Sequence, residues 1–118
     1  MEPKITIDLS QEGLAMILKD YQEIVMKLLW NTDKSQSSRD VWIHVNEQLE
    51  ESGGRASNKR SDISRASIIN FCNAMVDEGI LGFSEITGKG GHRRLYYAQL
   101  NEGQMWAKLT EIIHDRFP

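Results

Sequence analysis

"ISRASIINFCNAMVDEGIL", residues 63–81, is the stretch on which the fold turns. Ile68, Phe71, Cys72, Met75 and Val76 recur at i, i+3, i+4, i+7 and i+8, which puts them on one apolar face of an α-helix. Ser64 or Asp62 can cap the start, because a side-chain oxygen there accepts from a first-turn amide that has no helical partner. Gly79 stands where a helix favours a left-handed terminal residue. The spacing predicts a helix over residues 64–78. If the apolar face is packed, Arg65, Ala66, Ile69, Asn70 and Asn73 point outward.

Downstream, "ILGFSEI" and "RRLYYAQL" read as two strands, rich in β-branched, aromatic and leucine residues. The six residues between them, "TGKGGH", are too many for a two-residue turn, and their glycines tolerate positive φ and keep the tip flexible. "NEGQMWAKLTEIIHDRF" reads as a helix with Asn101 and Gln104 at its start and a stripe of Met105, Trp106, Leu109, Ile112 and Ile113.

Upstream, "DYQEIVMKLLW" carries an Asp20–Glu23 capping box and an apolar face of Tyr21, Ile24, Val25, Leu28 and Leu29. "SSRDVWIHVNEQLEE" offers a second box, Ser37–Asp40, and a stripe of Val41, Trp42, Val45 and Leu49. "SGGRASNKRSD" is a polar loop. Residues 1–18 are ambiguous between a short strand ("KITID") and a helix ("QEGLAMILK"). The order is helix, helix, charged loop, helix, hairpin, helix. This is a mainly α chain with a β-hairpin, in the order of a winged helix-turn-helix. It divides into an N-terminal arm or helix (1–18), a three-helix-plus-wing domain (19–100) and a C-terminal helix (101–118).

The chain has 118 residues, which fits one domain, and 40% hydrophobic content supports one modest core. Cys72 is the only cysteine, which excludes a disulfide framework and a thiolate metal cluster and suits a reducing, cytoplasmic setting. No basic start with a long apolar run marks a signal peptide, and no apolar run is long enough to span a membrane. His44, His92 and His114 have no ligand spacing with Cys72, so neither a metal nor a cofactor is expected. No nucleophile–base pattern is present, and "GKGG" lacks the phosphate-loop spacing, so the chain does not read as an enzyme.

Net charge is -3, from 14 basic and 17 acidic residues, but the distribution is uneven. Residues 55–65 hold Arg55, Lys59, Arg60 and Arg65 against Asp62. Residues 89–94 hold Lys89, Arg93 and Arg94 with no acid. The rest of the chain carries 7 basic and 16 acidic residues, so the two patches stand out from an acidic background. Such patches bind phosphate if the fold brings them to one side.

These segments carry a family likeness. "ISRASIINFCNAMVDEGIL" resembles the recognition-helix segment of winged-helix transcription regulators. "GKGGHRRLYYAQLNEG" resembles their wing. "YQEIVMKLLW" is similar to the opening helix of the penicillinase-repressor group, while the wing and its exit are closer to the PadR- and MarR-like groups. The resemblance covers roughly residues 19–103. It implies a homodimeric, sequence-specific DNA-binding repressor, with the 64–78 helix in the major groove and the 87–94 wing on the backbone.

On that reading Ser64, Arg65, Ser67, Ile69, Asn70 and Asn73 are the recognition-helix contacts. Arg65 reaches a guanine edge or a phosphate, and Ser64 and Ser67 add hydroxyl donors. Asn70 and Asn73 read adenine, donate to phosphate or are solvated amides, and Ile69 meets a thymine methyl or packs on the second helix. The helix N-terminus itself favours a phosphate. Arg55, Lys59 and Arg60 contact DNA from the loop. Lys89, His92, Arg93 and Arg94 form the wing set, and strand alternation sends Arg93 and Arg94 to opposite faces. Met105, Trp106, Leu109, Ile112 and Ile113 form the dimer interface. A small hydrophobic effector bound between the dimer helices is a further candidate partner, which no residue pattern specifies. The alternative is a winged-helix module that binds another protein, with its charge incidental.

Overall fold

A computed structural model describes residues 17–53, 63–88 and 91–116. Four helices and a three-stranded antiparallel sheet follow in the order α1 (Asp20–Trp30), β1 (Gln36–Ser37), α2 (Ser38–Gly53), α3 (Arg65–Asp77), β2 (Leu81–Gly88), β3 (Gly91–Ala98) and α4 (Glu102–Arg116). The sheet order is β1-β3-β2. Helices with a hairpin between the third and fourth are thus present as the sequence indicates. The alternatives for residues 1–16 lie outside the described residues.

α3 forms as its periodicity predicts. Ile68, Phe71, Cys72 and Met75 are buried, and Val76 packs against them half-buried. The cap is Ser64, whose Oγ accepts from the Ser67 amide at 3.1 Å. Gly79 ends the helix at φ 78, a conformation that side chains other than glycine adopt at a cost.

α2 opens on the expected reciprocal box: the Ser37 amide donates to Asp40 Oδ2 at 3.3 Å and the Asp40 amide to Ser37 Oγ at 3.1 Å. α4 opens likewise through Asn101 and Gln104, at 2.8 and 2.9 Å. At α1 the expectation needs correction. The N-cap is Lys19, and Gln22 Oε1, not Glu23, accepts from its amide at 2.9 Å. Asp20 Oδ1 accepts from the next amide, that of Tyr21, instead of closing a box. The buried line of α1 is also rotated. Met26 is fully buried with Val25 and Leu29, while Tyr21, Ile24 and Leu28 are only partly covered. Both α2 and β3 pack on α1, so its covered side is wider than a single stripe and includes Met26.

Two features of the sheet differ from the sequence reading. β1 is a strand of two residues, paired Gln36↔Tyr96 and Ser37↔Leu95, and Ser37 serves as strand end and helix cap at once. The β2–β3 ladder also runs further than expected, through Thr87↔His92 to Gly88↔Gly91. Part of the anticipated six-residue loop is therefore paired strand, with Gly91 at φ 95 where the chain reverses. The core joins all four helices and the sheet, from Leu18, Val25 and Met26 through Val41, Val45 and Ile68 to Leu81, Tyr96, Met105 and Leu109. No described helix is long and apolar enough to cross a membrane.

Candidate nucleic-acid interface

The start of α3 is held on the middle of α2. Trp42 Nε1 donates to the Ile63 carbonyl at 2.8 Å. Asn46 grips the same residue from both sides: its Oδ1 accepts from the Ile63 amide at 2.7 Å and its Nδ2 donates to the carbonyl at 3.3 Å. Ile63 itself is buried. These contacts aim the first turn of α3. Neither Trp42 nor Asn46 stands out in the sequence as a positioning residue, since their partner lies 21 and 17 positions away.

From that start the outward side of α3 follows from helical geometry, at about 100° per residue. Ala66, Asn70, Asn73 and Asp77 fall opposite the buried stripe. Arg65, Ala66 and Asn70 are exposed. Asn70 has no hydrogen-bond partner among the described residues. It borders a hollow of about 280 Å³ between the start of α1 and α3, lined also by Tyr21, Gln22, Ser67 and Phe71. Ile69 is half-buried at the edge of this face. The hydroxyls of Ser64 and Ser67 lie 2.9 Å apart and satisfy each other and the helix cap.

Arg65 Nη2 donates to Ser38 Oγ at 3.4 Å, which brings the first turns of α2 and α3 together. Arg39, the next residue of α2, is exposed, and it adds a cation to this corner that the sequence reading missed. It stands outside both charge clusters and 26 positions from Arg65, so only the fold shows its place.

On the other flank of α3 stands the hairpin. Register puts Phe83, Glu85, Thr87, His92, Arg94 and Tyr96 on its inner face, towards α3, and Ser84, Ile86, Arg93, Leu95 and Tyr97 on its outer face. Arg94 is committed to the body of the protein. Its Nη1 donates to Asn73 Oδ1 at 3.0 Å, and its guanidinium lies 3.9 Å from the centre of the Phe83 ring. Tyr96 Oη donates to the same Asn73 oxygen at 2.7 Å. Burial pushes the Tyr96 phenol above its ordinary value, with Arg94 pulling the other way, so this donor keeps its proton at neutral pH. Asn73 is therefore not a solvated amide: it is the joint between α3 and the hairpin.

Arg93 is exposed and makes no hydrogen bond or ion pair among the described residues. His92 is exposed too, with Nδ1 3.2 Å from Thr87 Oγ1 and 3.9 Å from Glu85 Oε2. Arg55, Lys59, Arg60 and Lys89 lie outside the described residues. Of the expected interface stripe, Met105 and Leu109 are buried in this chain's own core and Trp106 is half-buried. The side chains of Ile112 and Ile113 lie outside the described residues. Cys72 is fully buried, and desolvation pushes its thiol up to about 12, which leaves it protonated and unreactive. Among the described residues, no group of three or more His, Cys, Asp or Glu side chains could hold a metal ion.

No family model matches the chain, and no curated protein or solved structure matches it either.

Proposed function

We propose that the chain is a winged-helix, DNA-binding transcriptional regulator, a cytoplasmic repressor acting as a homodimer, with α3 in the major groove of a duplex and the hairpin on the adjacent backbone. The observation that carries this reading is the joint at Asn73. It fixes the hairpin beside the outward face of α3, so a helix of groove-filling size and a basic hairpin present one continuous surface. Arg39 and Arg65 extend that surface at the α2–α3 corner and His92 extends it along the inner face of the hairpin, while Arg93 reaches a flanking phosphate from the outer face. Phosphate contacts from these side chains position the protein, while Asn70 and Asn73 meet base edges. Of the expected α4 stripe, Trp106 is only partly covered in this chain and would meet a second copy, and two copies would set two α3 helices about one helical turn of DNA apart.

Amide chemical shifts on addition of a generic duplex at low salt test the reading. Shifts are expected together on α3, the first turn of α2 and the 84–94 hairpin. An unperturbed spectrum, or shifts confined to a different face, overturns it. The exposed Ile86 and Tyr97 on the outer hairpin face favour the second reading, a module that binds another protein. A protein that leaves duplex DNA unbound even at low salt would point there.

A further inference from the structure

Asn70 and Asn73 are alike in sequence, yet their hydrogen-bonding capacities differ. A guanidinium carries only donors, so the Asn73 atom 3.0 Å from Arg94 Nη1 is the amide oxygen. The same oxygen takes the Tyr96 hydroxyl at 2.7 Å. A carboxamide oxygen has two lone pairs, and both are occupied. What Asn73 has left for a partner is its NH₂ group, two donors and no acceptor.

The two-point pairing of asparagine with adenine needs one of each, an oxygen that accepts from N6 and a nitrogen that donates to N7. Asn73 lacks the acceptor. Guanine presents two adjacent acceptors, N7 and O6, on the same edge. Asn70, exposed and without a partner among the described residues, keeps both its donor and its acceptor.

Resting on the DNA-binding reading above, we infer that Asn73 is a specificity-determining residue that reads acceptors only, selecting guanine and unable to make the adenine pairing, because the hairpin occupies its oxygen. The hairpin thus sets the base preference of α3 from behind, without touching the base. Asn73→Asp separates the two jobs of this side chain. Its carboxylate keeps acceptors for Arg94 and Tyr96, but the group facing the duplex changes from donor to acceptor.

The test is selection from a randomised duplex pool by the wild-type chain, Asn73→Ala and Asn73→Asp, with unfolding midpoints measured alongside. At the position where Asn73→Ala loses its preference, the wild type should favour guanine over adenine by on the order of tenfold. Asn73→Asp should exchange that preference for a base that donates, cytosine or adenine, with the other positions of the motif unchanged. If Asn73→Ala does not fold, the position is mapped from Asn73→Asp alone. Adenine at that position in the wild type overturns the inference. So do an unaltered motif in both variants, a loss of affinity uniform across sequences, or wild-type binding with no sequence preference. A wild-type chain that binds no duplex removes the DNA reading itself, which is a distinct result.

Discussion

Arg93 and Arg94 are adjacent, equally charged and part of one basic cluster, yet the two faces of the hairpin use them differently. On the inner face Arg94 lies over Phe83 and donates to Asn73, with Tyr96 completing the set. On the outer face Arg93 stands opposite Ile86, exposed and unpaired among the described residues. Strand alternation alone separates them. A positive charge near a candidate site is therefore not the same as an available one: Arg94 is spent on joining the hairpin to α3, and Arg93 stays exposed and unpaired among the described residues.

The largest test of this contrast is Tyr96→Ala. Tyr96 is 2% exposed and supports both the core and the joint, so its loss should cost about 3–5 kcal/mol in urea unfolding. A cost no greater than that of an exposed outer-face residue would break the comparison. Arg94→Ala should follow, at about 1–2 kcal/mol, because it removes one hydrogen bond and a ring contact while Tyr96 still satisfies Asn73.

Alkaline pH probes the same inner side. The Cys72 thiol is held at about 12 against an ordinary 9.0, and Tyr96 is shifted in the same direction. A raised pKa favours the neutral form in the folded state. The stability it contributes is full below pH 9 and is lost as pH rises towards 12, on the order of 1 kcal/mol for the first unit from the thiol. A urea midpoint that rises between pH 9 and 10 would contradict the burial of this side. Arg93→Ala should change stability by less than about 0.5 kcal/mol, the range of ordinary surface substitutions.

What the sequence made legible follows the range of the interactions. α3, its Ser64 cap and its Gly79 terminus are visible because helical periodicity and capping act within a few residues. The Ser37–Asp40 and Asn101–Gln104 boxes are visible for the same reason. β1 is not, since two residues are too short to show alternation and Ser37 already reads as a cap. Met26 escapes the stripe of α1 because elements remote in sequence, α2 and β3, both pack on that helix and together decide which side is covered. The same holds at the candidate site. The basic character of the hairpin is plain in "GKGGHRR", but the joint at Asn73 depends on partners 21 and 23 positions away, and so does the division of labour between Arg93 and Arg94.

The salt dependence of duplex binding, measured for the wild-type chain and Arg93→Ala, bears most directly on the claim that this surface grips a nucleic-acid backbone through its free cations. Each phosphate contact contributes about -0.9 to the slope of log K against log salt. The expected result is a steep negative slope for the wild type and one shallower by about a unit for Arg93→Ala, at an unchanged unfolding midpoint. A wild-type slope near zero, or identical slopes for the two proteins, would contradict it.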